Sequence, residues 1–242
     1  MSAFFPFSRL YLELGLGWFG LGTLLLMAFW YERRVLLAVG VLSAAFESVS
    51  EVSYLRDYWH PLTVFAWPTL EDSLYGFGLG IFSATILPFV LRRRLVRTHN
   101  ARPGVALSLV LAAQVSILLV PHVQAINSIW VACGAFLMFS LVALLWNARL
   151  AIPGILTAVI VAVVAALVYG IALNSLVDGR AYLGQTWLLY GHHIGWLVLG
   201  NVPFDEIVWN LLRSGFVSAV VLLATGYGFK LYRQPRAAFS ND

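Results

Sequence analysis

Long apolar runs recur along this chain, with only short polar segments between them. A helix needs about 20 apolar residues to cross a bilayer. Seven stretches approach or exceed that length: Leu10–Tyr31, Val35–Tyr54, Leu70–Leu91, Val105–Val120, Ile126–Trp146, Ile155–Leu176 and Asp205–Leu231. Inside hydrocarbon the backbone has no water to bond, so its polar groups must pair within the chain. The expected fold is therefore all-α and integral to the membrane, with seven transmembrane helices in a single domain, 1–242. The chain is 61% hydrophobic and 11% charged, against about 25% charged residues in an average soluble domain.

The opening MSAFFPFSR has no basic segment and no small-residue cleavage site, so the first run reads as a retained span. The single Cys133 lies mid-span and has no partner for an intrachain disulfide. Basic residues collect between spans. One side receives Arg33, Arg34, Arg92, Arg93, Arg94, Arg97, Arg102, Arg149, Lys230, Arg233 and Arg236; the other receives Arg9, Arg56 and Arg180. This asymmetry predicts a cytoplasmic C-terminus and an outside N-terminus in a cell membrane, and it reads as topology, not as a nucleic-acid patch. The apolar stretch Tyr182–Gly200 would reverse the C-terminal cluster if it crossed, so it reads as an interfacial or re-entrant segment.

Two spans open on adjacent carboxylates. Glu71-Asp72-Ser73-Leu74-Tyr75 matches Asp205-Glu206-Ile207-Val208-Trp209 at an offset of 134 residues: two acids, then an aromatic four positions after the first. Each pair follows a proline and a Trp-containing connector. The offset spans four helices, so the copies run in the same direction. This predicts two parallel three-helix repeats, about 10–91 and about 126–231, with a linking helix over about 105–120. Glu47 and Glu51, on one helix face, end the second span on the same side as both acidic pairs.

Acids in the first turn of a helix are favoured by its dipole, by about 0.3–1 kcal/mol, and one such motif needs no further explanation. Two copies with Glu47 and Glu51 nearby point to acid/base chemistry. A carboxyl facing a dry pocket keeps its proton, because desolvation disfavours the anion, and neighbouring carboxyls do not all ionise. Such a group can protonate a carbon–carbon double bond, and an ionised neighbour can later take a proton back. Aromatic faces such as Tyr75 and Trp209 stabilise a carbocation between those steps, or simply pack. Asn210 can orient a carboxyl or bond a neighbouring helix. Arg213, two turns beyond Glu206, can keep one carboxylate ionised or form a structural ion pair. His192 and His193 are either further site members or polar interfacial residues. His60 and His122 read as loop residues without a partner. The one lysine, Lys230, is at a span end, which excludes a retinal Schiff base; no metalloprotease or P-loop pattern occurs.

These residues resemble the integral-membrane lycopene cyclases, made as two small chains or as one fused chain. That family's mark is a P-x-E-E-x-x-[FW] helix start, once per three-helix unit. Pro203-Phe204-Asp205-Glu206-Ile207-Val208-Trp209 fits it with Asp for the first Glu, after a similar Trp187…Gly191…Gly200 spacing. Pro68-Thr69-Leu70-Glu71-Asp72 departs by one extra residue and by its Glu-Asp order. Glu47-x-x-x-Glu51 and Trp59 are similar to the family's lead-in. The resemblance implies redox-neutral cyclisation of the acyclic ends of lycopene or a related isoprenoid. It implies Glu71, Asp72, Asp205 and Glu206 as the acid/base set; read by themselves, the residues add Glu47 and Glu51 to the acids and Tyr75, Trp209, Asn210 and Arg213 around the substrate. No metal or cofactor is expected. Expected partners are the bilayer, a lipophilic substrate, and a second copy or other carotenoid-pathway enzymes. Two competing readings are a non-catalytic lipid- or partner-binding membrane protein and a metal-dependent prenyl-transfer enzyme.

Overall fold

The computed structural model describes residues 7–61, 63, 70–176, 178–190 and 196–231. Eight α-helices lie among them: α1 (Phe7–Ala28), α2 (Arg33–Asp57), α3 (Leu70–Val90), α4 (Pro103–Gln124), α5 (Ser128–Trp146), α6 (Ala151–Asn174), α7 (Gly179–Thr186) and α8 (Phe204–Thr225). Seven are long and apolar enough to cross a membrane; α7, with 8 residues, is not. The chain is a multi-pass, all-α membrane protein. Between Tyr182 and Gly200 the described residues form the end of α7, a turn and the short strand β2 (Leu197–Val198), which pairs with β3 (Val202–Pro203), and no eighth span.

Two helix ends differ from the expected ones for local reasons. The fourth span does not stop at Pro121. A proline in a last turn forfeits a single backbone bond, and α4 runs on to Gln124 before Ala125 turns left-handed. The last span ends at Thr225, not Leu231. Gly226 takes φ +71°, a conformation a glycine reaches without strain, and caps the helix. Residues Tyr227–Leu231 then form a strand, β4, antiparallel to β1 (Arg93–Arg97).

Helix α3 is the centre of the bundle: 72% of its span is buried, against 22% for α4. Helices α1 and α2 pack on α3, α5 and α6 pack on α8, and α3 meets α8. Helix α4 lies against α2, α5 and α8. Lipid offers no hydrophobic drive for such contacts, so close approach of small residues carries them. Where α1 crosses α3, a Cβ on Gly22 would stand 2.6 Å from the Gly78 carbonyl oxygen, and one on Gly78 would collide with the Trp18 carbonyl. Gly15 also faces α3, whereas a Cβ on Gly17 or Gly20 would meet nothing within 4 Å.

The two three-helix units make matching contacts, the pattern that an approximate two-fold relation between them gives. Trp18 stacks edge-on to Tyr75 (6.0 Å) and Phe82 (5.4 Å); in the second unit Phe136 packs on Trp209 (6.4 Å) and Phe216 (5.5 Å). Tyr75 and Trp209 occupy equivalent positions, as do Phe82 and Phe216, at the offset of the acidic pairs. A smaller offset relates Trp18 to Phe136 and Gly40 to Ala158, and the longer connector holding α7 makes up the difference. Residues equivalent at the 134-residue offset meet between the units at two levels, and a third contact joins the connectors. The Tyr75 and Trp209 rings lie 6.1 Å apart. Strands β1 and β4 pair about Leu95 and Phe229, which are equivalent at the same offset. At the opposite end Trp59 bridges Trp187: His60 N–H donates to the Thr186 carbonyl at 2.6 Å, and Leu188 N–H donates to the Tyr58 carbonyl at 2.9 Å.

Candidate active site

Both acidic pairs start their helices at the end of the bundle away from the β1–β4 sheet. Pro203, with φ −63°, sets the entry angle into α8; Pro68 and Thr69, before α3, lie outside the described residues. All four acids are buried: Glu71 and Asp72 are 0% and 2% exposed, Asp205 and Glu206 1% and 7%. They are therefore not solvated first-turn charges.

Within each pair the second acid points inward. Asp72 and Glu206 line a cavity between the units together with Glu47 and Glu51 of α2. Its aromatic wall is made of Tyr11, Tyr54, Tyr58, Trp59, Tyr75, Tyr169 and Trp209. Glu71 and Asp205 do not line it. Asp205 instead faces a smaller hollow with Trp187, Trp196 and Pro203. The acid/base set expected from the motifs thus divides, and the cavity's four carboxyls are Glu47, Glu51, Asp72 and Glu206.

The two sides of the cavity are built differently. Glu206 accepts hydrogen bonds from the Tyr169 hydroxyl (2.7 Å), the Tyr58 hydroxyl (2.9 Å) and Asn210 Nδ2 (3.2 Å). Trp187 Nε1 donates to the Tyr58 hydroxyl at 3.0 Å and fixes that phenol. Burial, with Asp205 and Glu206 beside it, pushes the Tyr58 phenol well above its ordinary value, so it stays a donor. Tyr75 donates to Asn210 Oδ1 at 3.2 Å, and its oxygen lies 3.2 Å from that of Tyr169. On the other side the Tyr11 hydroxyl donates to Asp72, and Glu51 lies near enough to interact with Asp72 electrostatically. Under the two-fold relation Glu51 corresponds to Tyr169, Glu47 to Ala165 and Tyr11 to Ile129. A carboxyl-rich half faces a half with one carboxyl held by phenols and an amide.

Arg213 does not reach Glu206, its neighbour along α8. It pairs with Glu47 across the bundle, the only ion pair among the described residues, and its guanidinium lies 5.3 Å from the Trp209 ring centre. Both partners are buried, 2% and 7% exposed. Gly76 makes room for this pair: a Cβ there would stand 2.6 Å from Glu47 Cγ. Asn210 stands behind the cavity wall as a bridge between Glu206 and Tyr75, and Trp209 is anchored by donating to the Tyr54 hydroxyl at 3.1 Å.

Tyr11, Tyr54, Tyr58 and Tyr169 join the site without having been picked out from the chain. The available signal was a tyrosine near a span end, which also describes an interfacial anchor. His122 sits in the last turn of α4 against Arg56, which also donates to the Pro121 carbonyl at 2.8 Å, so it is a tie between α2 and α4. His192 and His193 lie outside the described residues. Among the described residues no three His, Cys, Asp or Glu side chains are placed to hold a metal ion. No protein-family model, curated protein or solved structure matches this chain.

Proposed function

We propose that this protein cyclises the acyclic end of a carotenoid or related isoprenoid inside the membrane, as the lycopene cyclases it resembles do. The observation that carries the reading is the convergence of four carboxyls on one aromatic-walled cavity between two membrane-embedded units. Arg213 holds the Glu47 carboxylate there, and burying charge in such surroundings is costly. That arrangement suits carboxyls that trade protons with a substrate.

In this reading the Asp72–Glu51 side supplies a proton to a terminal double bond. One carbon gains the C–H bond and the other becomes a cation. The neighbouring double bond attacks it, a ring C–C bond forms, and the charge moves onto the ring. Tyr75, Trp209, Tyr54 and Tyr58 line the cavity, and their π faces stabilise that charge. Glu206, aimed by Tyr58, Tyr169 and Asn210, takes a ring proton and leaves a double bond. Atoms and electrons balance without an oxidant or reductant, and product and substrate have equal mass. The two halves of one site share the work, instead of each unit carrying a complete site. The basic ends of the bundle are cytoplasmic in this reading, so the cavity lies toward the outer side of a cell membrane.

Expression in a lycopene-accumulating host, with chromatography of the pigments, tests this directly. New products of unchanged mass with fewer acyclic ends are expected. Glu206→Gln should abolish them, a loss of at least about a hundredfold for a group acting in proton transfer, while the protein still inserts. Normal turnover by that variant would falsify the assignment.

A further inference from the structure

In the cyclase reading each turnover leaves Glu206 carrying a proton that it must lose before the next. Its hydrogen-bond partners decide the route. Tyr169 reaches Tyr75, and Tyr75 donates to the Asn210 carbonyl oxygen. Asn210 Nδ2 then returns to Glu206, so this set of bonds closes on itself. Tyr58 is different. Its hydroxyl lies within hydrogen-bonding reach of Asp205 as well as of Glu206. Trp187 Nε1 occupies one lone pair of the phenol oxygen. The other lone pair is left for an incoming proton, and the O–H can swing between the two carboxyls.

The two acids adjacent in the chain thus stand on either side of one phenol. Glu206 lines the cavity, and Asp205 does not. Asp205 is 1% exposed and borders a separate hollow of about 200 Å³, with Leu183, Trp187, Trp196 and Pro203. Its Oδ2 is buried and has no hydrogen-bond partner among the described residues. Buried acceptors of this kind are satisfied by ordered water. Trp196, on the wall of the hollow, is 64% exposed, so the hollow reaches the surface of the bundle.

We propose that Asp205 is the proton exit of the site, drawing from Glu206, through Tyr58, the proton taken from the ring. This rests on the cyclase reading. Glu206 gives its proton to the Tyr58 oxygen as the Tyr58 proton passes to Asp205. One O–H bond forms and one breaks at the phenol, which ends neutral. The net change is an ionised Glu206 and a protonated Asp205, which then yields its proton to water in the hollow. Asp205 is a positioning residue in this scheme: it never meets the substrate, and it resets the acid beside it. Two adjacent carboxyls at the start of α8 then have separate tasks.

Two measurements on the full chain in lipid nanodiscs test the exit. With enzyme in excess, a single turnover needs no reset; with lycopene in excess, every turnover after the first does. Asp205→Asn and Tyr58→Phe should each lower the steady-state rate at least about tenfold more than the single-turnover rate. Asp205→Glu should recover most of that difference. Equal losses in the two regimes would make Asp205 a structural or directly reacting group and overturn the proposal, as would no loss in either. The second measurement needs no turnover. Infrared spectroscopy follows deuterium entering the protonated Glu206 carboxyl in acidified heavy water, the band being the one absent from Glu206→Gln. Asp205→Asn should slow that exchange at least about tenfold; an unchanged rate would overturn the exit. If exchange slows but the wild type makes no cyclic product, the exit stands and the cyclase reading fails.

Discussion

Glu206 shows how far one side chain's surroundings outrun its place in the chain. Its neighbours along α8 are Asn210 and Arg213, yet only Asn210 bonds it. Its other partners, Tyr58 and Tyr169, come from the end of α2 and from α6. Arg213 passes it by for Glu47. Spacing along a helix locates a face, but which side chain across the bundle meets that face depends on packing. The acids were legible because a charge in an apolar run is rare. The tyrosines were not, because a phenol suits both a wet interface and a buried network. The Arg213–Glu47 pair makes a prediction at this scale. Removing one partner of a buried ion pair strands the other charge, at about 3–5 kcal/mol. Arg213→Leu should therefore lower the unfolding midpoint in detergent far more than the double change Arg213→Leu with Glu47→Leu. Equal losses would mean that the pair is solvated and not structural.

At the scale of elements, apolar length identified all seven spans, since crossing a bilayer needs only a run of suitable residues. The stops were harder to read. Arg93–Arg97 reads as a basic connector and Tyr227–Leu231 as the end of a span, but the two segments become strands because each is the other's partner. No single stretch of chain announces that pairing. The crossing of α1 and α3 also supplies a contrast between glycines. Gly78→Leu drives a side chain into the Trp18 carbonyl and the Phe19 amide. Overpacking of this kind costs about 1–3 kcal/mol or more, and with no room to yield at a backbone contact the larger end is expected. Gly17→Leu meets nothing within 4 Å and should leave the melting temperature unchanged or slightly raised. Similar melting temperatures for the two variants would remove the α1–α3 contact from the list of what holds the first unit together.

For the molecule as a whole, the direction of the repeat was legible from the acidic pairs, while the relation between the units was not, because it depends on contacts such as Tyr75 with Trp209 and Trp59 with Trp187. Orientation in the membrane can be read by thiol labelling. In a Cys133→Ala background, Asn100→Cys and Gln185→Cys place single thiols at exposed positions near opposite ends of the bundle. A membrane-impermeant maleimide applied to intact cells should label position 185, and position 100 only after permeabilisation. The reverse pattern would put the acid cavity on the cytoplasmic side.

The correspondence of Glu51 with Tyr169, and of Glu47 with Ala165, has a consequence for how such a protein can evolve. Two identical chains assembling about an axis must repeat every side chain, so an acid facing the centre meets its own copy. Joining the halves in one polypeptide lifts that constraint. After duplication each half mutates alone, and the shared axis preserves the packing while the chemistry on either side of it drifts apart. Trp18 with Tyr75 and Phe136 with Trp209 show the packing the two units share, and the carboxyls mark where the units differ.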